Sequence, residues 1–141
     1  MNKIILIAFI LLLFVITPFI LIFSPFRIIG PSRISGGNPG KYQAGQIVWS
    51  VKRALLGRKI VQGDVVKYNN PNIALHQESV GTFIGEVVGL PGKNLPENAF
   101  DLEEQPVKGQ ITAGSYLIEK NYSGKFWLVP EDQIKEVVVL P

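Results

Sequence analysis

The stretch Thr82-Phe83-Ile84-Gly85-Glu86-Val87-Val88-Gly89-Leu90-Pro91-Gly92 sets the character of the chain. Its first nine residues are rich in β-branched and aromatic side chains, and Pro91-Gly92 then stops them with a turn. Working outward, runs of the same kind recur: Gln46–Val51 and Asp64–Tyr68 before it, then Gly109–Thr112, Ser115–Glu119, Lys125–Val129 and Ile134–Leu140 after it. Gly63-Asp64 and Ala113-Gly114 punctuate them as further turns. Downstream of residue 27 no window of helical length carries a 3.6-residue apolar period, although Pro71–Ser79 has room for one helical turn. The pattern predicts a mainly β domain, without internal repeats.

The N-terminus differs in kind. From Ile4 to Phe23 no side chain is charged and only Thr17 is polar. Twenty helical residues rise about 30 Å, the thickness of a bilayer's hydrocarbon core. The run ends in Phe23-Ser24-Pro25-Phe26-Arg27, with no small-residue cleavage pattern, so it reads as an uncleaved transmembrane anchor and not as a removable leader. Pro18 removes one backbone donor and predicts a kink within the last two turns. Residues 1–26 are therefore read as the anchor and 27–141 as the β domain. The stretch between the anchor and Gln46 holds Gly30, Pro31, Gly36, Gly37, Pro39 and Gly40 and reads as a loop or linker. Lys3 and the α-amino group on one side of the span nearly balance Arg27 and Arg33 on the other, so the positive-inside rule leaves orientation open.

Composition excludes several classes. The 141 residues include 14 basic and 11 acidic side chains, a net charge of +3, which is too weak a bias for nucleic-acid binding. The one local excess is Lys52, Arg53, Arg58 and Lys59, read as a solvated loop, with contact to anionic lipid headgroups as the sharper alternative. The chain has no cysteine, which rules out disulfides and thiolate metal sites. No cluster of Asp, Glu or His suggests a metal, and no phosphate-binding or dinucleotide motif suggests a cofactor. His76 is the only histidine, and its neighbours Asn72 to Glu78 read as a surface loop, a poor setting for a His-based triad.

Three segments together resemble the bacterial signal peptidase I family, the Ser/Lys membrane proteases that remove leader peptides from exported proteins. Gly85-Glu86-Val87-Val88-Gly89-Leu90-Pro91-Gly92 stands where the family carries Lys-Arg-Val-Val-Gly-Leu-Pro-Gly. Gln62-Gly63-Asp64-Val65-Val66-Lys67-Tyr68-Asn69-Asn70-Pro71 resembles its Arg-Gly-Asp strand and following proline, and Thr112-Ala113-Gly114-Ser115-Tyr116-Leu117-Ile118 its Pro-x-Gly-x-Tyr-Phe strand. Val129-Pro130 fits the family's Val-Pro before the last strand. The order and spacing agree over roughly residues 27 to 141. The resemblance implies a signal-peptidase-like β domain on one transmembrane helix, lying on the outer face of the cytoplasmic membrane, with exported precursor peptides or membrane proteins as partners and no cofactor.

The family's chemistry needs a serine hydroxyl to attack the scissile carbonyl and a neutral, buried lysine to take its proton. This chain departs at both positions. The family's lysine falls at Gly85, its neighbouring arginine at Glu86, and its serine at Gly36. Ser35, one residue earlier, could reach the site only by a shift of the glycine-rich loop. The third functional box is reduced to Glu119-Lys120-Asn121-Tyr122-Ser123-Gly124, where Asn121 matches an asparagine but the supporting aspartates are missing. Lys67, Lys93 and Glu86 are the substitute bases within reach in sequence; both lysines read as surface groups, and strand alternation turns Glu86 away from Gly85. The expectation is a noncatalytic signal-peptidase-like protein that holds extended peptide or anchor segments. The alternatives are an active protease using Ser35, or a membrane-anchored interaction module. If the scaffold is intact, Gly36→Ser with Gly85→Lys restores some activity.

Overall fold

A computed structural model of the chain describes residues 3–27, 45–74, 80–119 and 124–140. One helix, α1 (Lys3–Ile22), precedes eight strands: β1 (Phe23–Arg27), β2 (Ile47–Lys52), β3 (Val65–Ala74), β4 (Val80–Gly89), β5 (Ala99–Phe100), β6 (Ser115–Glu119), β7 (Phe126–Pro130) and β8 (Ile134–Leu140). Short 3-10 turns at Arg53–Leu55 and Glu131–Gln133 lead out of β2 and into β8.

After Lys3, α1 is apolar except for Thr17, and none of its residues is buried in the rest of the molecule. Its length and composition suffice to cross a membrane. β1 starts at the very next residue. The Phe19 ring stacks on Phe23 with centroids 4.6 Å apart and lies 5.7 Å from Trp49, which ties the end of the helix to the sheet. Thus Phe23–Arg27, read from sequence as the end of the anchor and the start of the domain, is an edge strand. Its Pro25 suits that place, since an edge strand can spare a backbone donor.

The eight strands form one sheet in the order β1-β2-β8-β3-β4-β6-β7-β5. All neighbours are antiparallel except β5 and β7. Both faces of the sheet carry apolar side chains. One face holds the main core, with Val66, Tyr68, Val87, Tyr116, Ile118, Val129, Ile134 and Val137, closed by Ile60 and Leu102 from loops. The other holds two smaller clusters: Val48, Val65 and Val138 with Phe26 and Ile84 at one end, and Ala99, Ile111 and Leu117 with their neighbours at the other. Strand alternation divides the residues between these faces.

Six of the seven runs read from sequence are strands. Gly109–Thr112 is not one. Gln110 makes only an isolated bridge to Asn94, and buried Ile111 is held by backbone bonds with Gly92 and Lys93. The room for a helical turn at Pro71–Ser79 is also not used as such: Pro71 to Ala74 continue β3, and residues 75–79, with His76, lie outside the described residues.

Candidate functional site

β4 decides what the family's lysine position can do. Gly85 is buried and pairs with Val66 of β3 on one side. On the other side β6 pairs with β4 and packs close against it. A Cβ built on Gly85 would overlap the Ile118 side chain and lie 2.7 Å from the Glu119 carbonyl oxygen. The obstacle is partly backbone, which cannot swing aside as a flexible side chain would. Gly89 is packed in the same way, its Cβ direction filled by Ile111 and Leu117. Both glycines are therefore close-approach residues that let β6, and at Gly89 also Ile111, pack against β4. The expectation that Gly85→Lys could rebuild the dyad is corrected: the position has no space for a side chain to begin.

The neighbouring motifs also serve the fold. Asp64 accepts both guanidinium bonds from Arg58, at 2.8 and 2.9 Å, and a third from the Val61 amide. The Gly63 amide bonds to the Val87 carbonyl, and the Val87 amide to the Asp64 carbonyl. Gly92 has φ +86, a left-handed conformation that favours glycine, and its amide bonds to the Ile111 carbonyl. The Gly-Asp and Gly-Leu-Pro-Gly signatures thus pin turns to the strands beside them.

The substitute bases lie apart. Lys93 is exposed in the turn after β4. Glu86 lies on the face opposite Gly85, as alternation requires, directly across from Glu119 of β6. Burial pushes the Glu119 carboxyl up from the usual carboxylate range, and the charge of Glu86 pushes it further. Ser35, Gly36 and Asn121 lie outside the described residues.

A serine and a lysine do meet elsewhere. On the sheet face opposite the main core, Ser50 of β2, Glu136 of β8 and Lys67 of β3 lie side by side on successive strands. The Ser50 hydroxyl donates to Glu136 Oε2 at 2.5 Å, and Lys67 Nζ donates to the same oxygen at 2.8 Å. Lys67 Nζ also sits 4.6 Å from the centre of the Phe26 ring, a cation–π contact. Ser50 is completely buried and also lies 3.2 Å from the Ser24 carbonyl. Burial pushes Glu136 up, but the hydrogen bonds from Lys67 and Ser50 and the charges of Lys67 and Lys52 outweigh it, and its carboxyl ends below the usual range.

This constellation is not a working dyad. The lysine donates to a carboxylate, so its nitrogen is not turned as an acceptor toward the serine. The serine has no exposed surface for a scissile carbonyl to reach. Its parts were invisible in sequence because Ser50 and Glu136 are 86 residues apart and meet only through the β2–β8 pairing.

No family model matches the chain, and no curated protein matches it.

The rest of the surface offers little chemistry. An apolar hollow of about 530 Å³ runs along α1 between Ile10 and Leu21, with Thr17 as its one polar side chain. A second, open cleft of about 400 Å³ lies between the two 3-10 turns, bordered by Lys52, Arg53, Glu131, Asp132, Lys135 and Glu136. Among the described residues, no three His, Cys, Asp or Glu side chains gather as a metal site would require.

Proposed function

We propose that this chain is a signal peptidase I-like protein without a catalytic dyad, anchored by α1 in the cytoplasmic membrane with its β domain on the outer face. There it holds extended peptides or anchor segments and does not cut them. The observation that carries the reading is the closure of Gly85: at the position matching the family's general base, Ile118 and the Glu119 carbonyl of the paired strand β6 fill the space a side chain would need. A protease of this kind needs an amine that can accept the serine proton. Lys67, the lysine that lies beside Ser50 and Glu136 on the sheet, is committed to Glu136.

Peptide holding needs no dyad. β1 is the outermost strand of the sheet and directly follows α1. An extended segment can add to such an edge through main-chain hydrogen bonds, with side chains giving selectivity.

The test uses the purified full chain in detergent with a fluorescent leader peptide, followed by anisotropy for binding and mass spectrometry for cleavage. Binding without cleavage is the expected result. Cleavage abolished by Ser35→Ala would instead establish an active protease with a displaced nucleophile. Absence of binding as well as cleavage would leave a membrane-anchored interaction module.

A further inference from the structure

The register of β1 and β2 places the basic loop. β2 runs antiparallel to β1, and Val51 lies opposite Phe23, the first residue after α1. The chain therefore leaves β2 through Lys52 at the end of the sheet where the helix arrives. Trp49 touches Phe19 there, and tryptophan favours the level where a bilayer meets water.

The 3-10 turn Arg53–Leu55 begins at this point. Leu55 is 53% exposed, while its neighbour Leu56 packs into the main core. The core thus fixes the turn and leaves one large apolar side chain outside it. Of the four basic residues noted in sequence, two are neutralised locally: Arg53 pairs with Glu131, and Arg58 pairs with Asp64. Lys52 and Lys59 are exposed and have no ion pair among the described residues. Lys135 joins them from the start of β8, exposed, with its ammonium on the Asp132 carbonyl. Asp132 is the exposed carboxylate beside them, and Glu131 and Glu136 are engaged by Arg53 and Lys67. The chain leaving β2 beside α1, with the start of β8, therefore combines an exposed leucine with exposed lysines that make no ion pair among the described residues.

We propose that this end is a contact for anionic phospholipid: Leu55 enters the headgroup layer, and Lys52, Lys59 and Lys135 meet lipid phosphates. An apolar tip flanked by lysines is the composition of interfacial membrane segments. The tether supplies the proximity that so small a patch lacks by itself. The inference rests on the membrane-anchor part of the proposed function and is independent of peptide holding.

The absence of cysteine makes the test clean. Full-length chain carrying Leu55→Cys is labelled with an environment-sensitive fluorophore and placed in nanodiscs of phosphatidylcholine, with or without phosphatidylglycerol, containing a headgroup-level nitroxide quencher. The control is Lys93→Cys, exposed at the far end of β4. Quenching at position 55 is expected to exceed that at 93 several-fold in anionic discs. It should fall toward the control in neutral discs, in high salt, and when Lys52, Lys59 and Lys135 are changed to Gln. Equal quenching at the two positions, or quenching indifferent to lipid charge, overturns the inference while leaving the anchor intact. Failure of the chain to enter nanodiscs overturns the anchor and the inference together.

Discussion

Two regions of one sheet could have held a Ser/Lys reaction, and they fail in opposite ways. Where β4 pairs with β6 the position is closed: Gly85 carries no side chain, and Ile118 and Glu119 leave no volume for one. Across β2, β8 and β3 the right functional groups are present but satisfied, since Ser50 and Lys67 both donate to Glu136. Residue types alone do not make a reactive pair. A nucleophile must donate to a base that has a free lone pair, with open space beside them, and neither region meets both conditions.

The sharpest way to break the comparison is Gly85→Lys. Because the overlap begins at the Cβ and includes backbone, the substitution should destabilise the fold by about 3 kcal/mol or more, with Gly85→Ala sharing much of the loss. Thermal unfolding of the full chain in detergent measures both. A Gly85→Lys variant with unchanged stability would mean that the lysine position is open after all.

The second region is probed by Glu136→Gln, which leaves the Lys67 ammonium without its counter-charge. The expected cost is about 1–3 kcal/mol, reduced from that of a dry ion pair because both partners keep some solvent contact, with side chains 20% and 17% exposed. Lys67→Met combined with Glu136→Leu should recover most of it. If Glu136→Gln were neutral, the network would be idle and Lys67 could be considered free for other work.

Acid sharpens the same point. The folded value of Glu136 lies below its unfolded one, so its contribution is complete above the unfolded value, near pH 4.3 for an ordinary glutamate as a rough guide, and is lost as pH falls through the folded value. The stability gap between the native chain and Glu136→Gln should therefore close below about pH 4. Glu119 behaves in the reverse sense. Its folded value is raised, so its ionised form carries a penalty at neutral pH that disappears on acidification. Glu119→Gln should thus stabilise the chain slightly, by roughly 0.2–1 kcal/mol at neutral pH and by nothing in acid, the smallest effect of the set.

The β character and most strands were legible because half-buried strands announce themselves through alternation and turns. β1 was hidden because Phe23-Ser24-Pro25-Phe26 continues the hydrophobic run of α1 and contains a proline. β5 is only two residues long and has no pattern of its own. Gly109–Thr112 misled because Ile111 is buried as a strand residue would be, yet its bonds go to a turn. At the site, the glycine at position 85, where the resemblance would set a lysine, was readable from one position. That no lysine could fit there was not, because the obstruction comes from Ile118 and Glu119, more than thirty residues away in sequence. The Ser50–Glu136–Lys67 contact likewise depends on strand order, which local patterns do not carry.

Ile22 closes the helix and Phe23 opens the first strand with nothing between them. No linker separates them, and Phe19 rests against Phe23 and Trp49, so a turn of the helix end is passed directly to β1. If α1 spans a bilayer, one thinner than its apolar length would tilt the helix and carry the first strand with it. Membrane thickness would then bear on the angle of the sheet.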